Sequence, residues 1–411
     1  GLKFQRLDTP YVKEKNEFKK IPWSIAYSKL VEKIKTTPSE RIGGLTGDLT
    51  NMETMFIIKE FFNKTIKSKN LESRNDNYYI NNSTKDNYIF NSTINGIEES
   101  DLIILIGSNP RYEATIVNSR IRKAYLKNKT SIYSFNDVGD LTYPYKLVDN
   151  STETIKNILE NKNDLSKKIV EAKKPLIIIG QSFLKLSSGG FIFEKLKNYL
   201  EKNNKINESW NAINILSNNA STVGAYDLDI LSSENGKNIF LENLNKNNYD
   251  LLFLFGQDNL NFKKKNEFIV YVGSHGDKGA EMADLILPGS SYTEQDGYFA
   301  NLEGKIQKAF KATYPPGQAK EDWLIINELS EFIKRKKLFN TKDELIDNML
   351  NYIKNKNKNH SSSTIHSNFA NEKIIVDDID YYYSNVIARS SKTMTDCRNI
   401  KLNLSKTGTE G

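Results

Sequence analysis

Hydrophobic residues along this chain gather in short continuous runs bounded by polar turns, the pattern of strands buried on both faces of a parallel sheet. The sharpest case is DLIILIGSNPRYEATIVNSRIR, Asp101–Arg122, in which Leu102–Ile106 is an unbroken apolar run. Gly107-Ser108-Asn109-Pro110 breaks that run and a helix is expected at once. Asn109 suits the N-cap, Pro110 the first helical position and Glu113 the positive first turn. Ala114, Val117, Ile121 and Ala124 then recur at helical spacing, which completes a strand–turn–helix unit. Further strands are expected at Arg41–Leu45, Ser131–Phe135, Leu176–Ile179, Ile213–Leu216, Leu251–Phe255, Phe268–Val272 and Asp284–Leu287, and a hairpin at Tyr298–Leu302 with Lys305–Ala309.

Helical periodicity is clearest in three other places. Ile25 or Ala26, Leu30, Val31 and Ile34 form a stripe anchored by Trp23, and Gly190–Glu201 is a second helix. Trp323, Ile326 and Leu329, flanked by Ile325 and Phe332, read as core. Thr50-x-x-Glu53 has the form of a capping box before Met52, Met55, Phe56 and Phe62. The Asn/Asp/Ser/Lys-dense stretch Ser68–Asn87 reads as loop, and Asn355–Glu372 as a polar surface loop or linker. The expected organisation is a leading segment and first helix (1–40), a first α/β unit (41–150), a second α/β unit ending in the hairpin (170–310), helices (311–354), and a polar linker with an extended docking arm (355–411).

Composition narrows the classes. A chain of 411 residues, 38% apolar and 27% charged, is long enough for roughly two or three globular cores. No run approaches the ~18 apolar residues of a membrane helix, and no leader is visible before Gly1, so neither a span nor a targeting signal is expected. The net charge of +7 is spread among acids. Its densest cluster, Lys334–Lys337, ends an amphipathic segment and lacks the aromatic platforms of a nucleic-acid stripe. The single cysteine, Cys397, cannot hold an iron–sulfur cluster or close an internal disulfide. His275, His360 and His366 sit in no zinc motif, so no metal is expected in this chain.

Candidate chemistry is sparse. Gly43, Gly44 and Gly47 do not form the G-x-G-x-x-G fingerprint of a nicotinamide-binding turn. Glu294, Asp296 and Glu303 lie among turn residues with no His or Lys partner at useful spacing, so a structural role outweighs acid/base work. The Gly107–Pro110 turn could present N–H groups to an anion, or could simply cap and start its helix.

Motifs at the beginning, middle and end carry a resemblance. GLKFQRLDTPYVK, GSNPRYEATIVNSRIRK, DLTYPY, ADLILPGSSYTEQDGYFANLEGKIQ, PPGQAKEDW and YYYSNVIARSSKTMTDC resemble the molybdopterin-oxidoreductase-like part of the large iron–sulfur subunit of respiratory NADH:quinone oxidoreductase, complex I. Phe4 and Lys13 depart from the basic residues usual there. The resemblance implies doubly wound parallel α/β sheets of molybdopterin-oxidoreductase type, degenerate and cofactor-free, with Gly107, Ser108, Asn109 and Pro110 as a vestigial cofactor turn and no catalytic residue. It also implies a bracing role in NADH-to-ubiquinone electron transfer and proton pumping. The expected partners are peripheral-arm subunits, foremost a separate or upstream iron–sulfur-bearing half, with clusters and FMN held in partner chains. The implied location is the matrix side of the mitochondrial inner membrane. The competing expectations are an active molybdopterin-dependent oxidoreductase, or a fragment of one, and a stand-alone nucleotide-binding module.

Overall fold

The apolar runs form two parallel sheets, and the chain passes between them more than once. The computed structural model describes residues 1–356 and 368–407. Its strands are β1 (Tyr11–Glu14), β2 (Glu17–Lys20), β3 (Ile42–Thr46), β4 (Leu71–Glu72), β5 (Leu102–Ile106), β6 (Ser131–Ser134), β7 (Lys146–Leu147), β8 (Pro175–Gly180), β9 (Ile213–Leu216), β10 (Ser233–Glu234), β11 (Lys237–Asn238), β12 (Leu251–Phe255), β13 (Phe268–Gly273), β14 (Leu285–Pro288), β15 (Gly297–Ala300) and β16 (Ile306–Ala309). One sheet runs β2-β1-β14-β13-β12-β3-β4 and the other β7-β6-β5-β8-β9, with β10-β11 and β15-β16 as separate ribbons. The five-stranded sheet is parallel throughout. The larger one is parallel from β14 to β4, and the β1–β2 hairpin adds antiparallel on the β14 edge.

Continuous apolar runs are needed because both faces of these strands are covered. Along β12, Leu251, Phe253 and Phe255 enter the main core, while Leu252 and Leu254 enter a second core with Phe240, Leu244 and Tyr249. The fold is therefore α/β with parallel sheets, as the apolar pattern implies.

The division at 150/170 does not describe the sheets. β3 pairs with β12, and β8 and β9 extend the sheet of β5, so the two expected units exchange strands. Neighbours in sequence pair only as a tendency. Here Gly43 and Gly44 admit the rings of Phe240 and Phe62, which fits β3 between β12 and the edge strand β4 of the larger sheet.

Several local expectations are corrected as well. The leading segment contains the β1–β2 hairpin before the helix Trp23–Thr36. In that helix Ala26, Leu30 and Ile34 are buried, whereas Ile25 is exposed. The cap of helix Met52–Glu60 is Asn51, whose side chain accepts from Thr54 N–H; Glu53 instead accepts from Tyr298 N–H. The stretch 68–87 is not all loop: it supplies β4 to the larger sheet, and Arg74 and Glu72 form a fully buried ion pair there. In helix Asp322–Lys334, Trp323, Ile325, Ile326 and Leu329 are core and Phe332 is exposed.

The described part of the expected linker packs firmly. Ile374 is fully buried, and the Glu372 carboxylate accepts from Ser187 and Ser188 N–H. The rest of that linker, including His360 and His366, lies outside the described residues. The tail is not extended: Val386–Arg389 and Lys392–Thr407 are helices. Among the described residues no helix is long and apolar enough to cross a membrane.

Candidate functional site

Loops that follow β4, β5, β8, β9 and β12 converge on one crevice of about 930 Å³, walled on its open side by residues 377–394. Ligands of open α/β sheets bind at such carboxyl ends, so the crevice is where chemistry would be sought.

The Gly107–Pro110 turn lies beside it. Gly107 has φ +59°, and a Cβ there would come within 2.6 Å of Phe183 Cβ, so the turn requires glycine. Asn109 caps as expected, its Oδ1 accepting from Arg111 N–H and its Nδ2 donating to Val138 O. The helix stops after one turn, Pro110–Glu113, and restarts as Thr115–Asn128 because Ala114 takes an extended φ of −153°. Glu113 therefore folds back, and Asn109 N–H donates to its Oε1 at 2.8 Å. Burial, opposed by that bond and reinforced by the Asp377 carboxylate, pushes Glu113 up to about 7. Ser108 is buried, with its Oγ unpartnered.

A hollow of about 60 Å³ adjoins the crevice at the ends of β3, β12, β13 and β14. Gly47 is pressed against the β12 turn: a Cβ there would lie 1.9 Å from Gly256 O. Asp48 accepts from the side-chain amides of Asn219 and Asn259, and burial raises its pKa. Asp258 accepts from Tyr271 O–H and Gly279 N–H, and burial raises it to about 7. Asp322 accepts from Ser290 N–H and the Gln295 amide, and burial again raises it to about 7. Arg389 from the tail lines the same hollow.

The acidic residues of the turns, and His275, have structural partners. Glu294 accepts from Arg6 Nη1–H and Nη2–H at 2.5 and 2.6 Å and also from Ser291 N–H. Asp296 accepts from Lys311 N–H and Glu303 from Ile94 N–H. His275 is buried with Nδ1 2.8 Å from Ser274 Oγ, and burial pushes it down to about 4, so it stays neutral. Cys397 is exposed and unpaired. Among the described residues no group of three or more His, Cys, Asp or Glu is placed to hold a metal.

A pterin dinucleotide would bring a pyrophosphate, which needs free N–H donors and positive potential. At the turn, the Asn109 N–H already meets a carboxylate. Around the crevice stand Asp76, Glu113, Asp377, Asp378 and Asp380, and Lys185 is itself paired with Asp76 and Asp377. This lining does not fit an anionic dinucleotide. Asp48 and Asp258 could have been found from sequence, since each closely follows a glycine that ends a strand. Asp322 and Arg389 arrive from distant segments and leave no local signal.

The chain is 35% identical over 98% of its length to the NADH-ubiquinone oxidoreductase 75 kDa subunit of Reclinomonas americana, and covers 62% of that relative. It is 34% identical over 99% of its length to an NADH-quinone oxidoreductase subunit of Rickettsia bellii, covering 60% of it. The 78 kDa mitochondrial subunit of Candida albicans matches at 34% over 97% of this chain and 57% of its own. The chain thus spans about three-fifths of the length of these relatives. Among solved structures, acetylene hydratase from Pelobacter acetylenicus shares the fold at TM-score 0.52 and 13% identity, over 87% of this chain and 66% of that one. A chain of the formyltransferase/hydrolase complex of Methylorubrum extorquens does so at TM-score 0.56 and 12% identity, over 83% of this chain and 100% of that one. The family model for molybdopterin oxidoreductases matches residues 6–332, and with parallel sheets meeting at one crevice the chain belongs to the molybdopterin oxidoreductase family.

Proposed function

We propose that this chain is a non-catalytic, cofactor-free part of the peripheral arm of respiratory complex I. It braces the iron–sulfur-bearing portion of the same subunit and its neighbours while electrons pass from NADH to ubiquinone. Similarity along nearly the whole chain to subunits named for that oxidoreductase carries the reading. The Glu113 carboxylate on the turn, the acidic crevice and the lone Cys397 support a role without chemistry of its own. FMN and the clusters then reside in partner chains. The mitochondrial relatives support a mitochondrial location, and as part of the proposed arm the chain would lie on the matrix side of the inner membrane.

Affinity purification from the native source tests this. Complex I subunits bearing FMN and iron–sulfur clusters should come along, without molybdenum or pterin. Recovery of molybdenum and pterin in stoichiometric amounts would favour an active molybdopterin-dependent oxidoreductase. A chain purified without complex I subunits would overturn the proposed assembly.

A further inference from the structure

Beyond Ile374 no described side chain is buried, although the segment runs across the mouth of the crevice. Directed polar contacts hold it instead. Arg389 Nε–H donates to Asp277 Oδ2 at 2.5 Å and Nη1 donates to Tyr383 O at 3.0 Å. This ion pair is well covered, the two side chains being 17% and 15% exposed. Lys185 Nζ grips Asp377 at 2.5 Å, and Asp377 N–H donates to Ser182 Oγ at 3.0 Å. The helix Lys392–Thr407 is tied chiefly to the segment itself, through Tyr383 with Thr395 and Arg398 with Asp380.

The hollow beneath Arg389 is built to accept hydrogen bonds. Ser290 and Gln295 line it at 5% and 4% exposure, with Ser290 Oγ and Gln295 Oε1 unpartnered. Asp258 and Asp322 line it too, and Asp277 stands at the Arg389 contact. Such a lining suits a planar cation with several N–H donors better than a point charge.

We propose that residues 375–407 form a hinged cover over the crevice, latched by Arg389, and that the seat Arg389 occupies is a guanidinium site which an arginine side chain from a partner takes over when the cover lifts. Ile374 is the fixed end of the hinge, being the last buried residue before the segment. Among the described residues no side chain beyond it is buried, which lets the cover leave without opening the core.

The single exposed cysteine sits on the cover and reports its motion. In the full chain, a nitroxide attached to Cys397 should give a mainly immobilised spectrum. Arg389→Gln should raise the mobile fraction several-fold, while amide exchange in Leu102–Ile106 stays unchanged. Millimolar agmatine, which carries a guanidinium, should release the label in the unaltered chain, and putrescine at equal ionic strength should release much less. An R389Q spectrum identical to the parent's overturns the latch, as does release accompanied by faster exchange in Leu102–Ile106. Putrescine acting as well as agmatine overturns the guanidinium seat. If R389Q does not fold, the agmatine and putrescine titrations decide alone.

Discussion

Glu113 shows how much one side chain can change a turn. Its Oε1 accepts from Asn109 N–H, while its Oε2 is buried without a partner. Its pKa rises from the ordinary 4.5 to about 7 through burial. Between these values the folded chain holds a proton that the unfolded chain releases. The resulting stabilisation is full below about 4.5 and is lost as pH rises through about 7. Glu113→Gln keeps an acceptor for Asn109 N–H and cannot ionise. It should match the parent at pH 4.5 and exceed it at pH 8 by up to about 3 kcal/mol, discounted for partial solvent contact. Urea unfolding at both pH values checks this, and an unchanged gap refutes it. Trp323 is the opposite kind of residue: a nearly buried core ring whose Nε1–H donates to Glu321 Oε2 at 2.9 Å. Trp323→Ala should cost about 3–5 kcal/mol. Under the proposed role in complex I, this predicts less assembled complex with normal turnover per complex, separable by blue-native gels with in-gel activity. The Asn109 cap and the Trp323 core were legible because each depends on neighbours within one helical turn. The Glu113 bond was not, since it follows from the break at Ala114.

At the scale of elements, apolar runs marked the parallel strands well because burial on both faces is written directly into composition. Helices were legible only where they bury a stripe. Lys392–Thr407 has no buried side chain among those described, so periodicity had nothing to register, and the tail read as extended. The capping box at Thr50 failed for a different reason. Thr50 Oγ1 accepts from Gly47 N–H and donates to Phe255 O, tying the β3 and β12 turns together, which leaves the cap to Asn51. Asn51→Ala should therefore lose about 1 kcal/mol through the freed Thr54 N–H, with Asn51→Ser restoring most of it. Thermal unfolding of the two variants tests the assignment, and equal losses for both would reject it.

At the scale of the molecule, the exchange of strands between sheets means that no cut near residue 150 or 170 yields two folding units. A fragment spanning 41–150 should show no dispersed amide spectrum, since β3 lacks β12. A well-dispersed spectrum would refute this. The same topology sets a clock on biosynthesis. β3 leaves the ribosome about two hundred residues before its partner β12, and translation at roughly 5–20 residues per second leaves that edge unpaired for ~10–40 s. During that interval β4 can cover one edge of β3, while the edge that β12 will take stays open to chaperones and to mispairing. Nascent chains stalled before β12 should be protease-sensitive throughout the β3 region, and protection should arrive only when β12 to β14 have emerged. The order of secondary structure along the gene thus leaves the inner edge of β3, an early strand of the larger sheet, among the last parts of the protein to become safe.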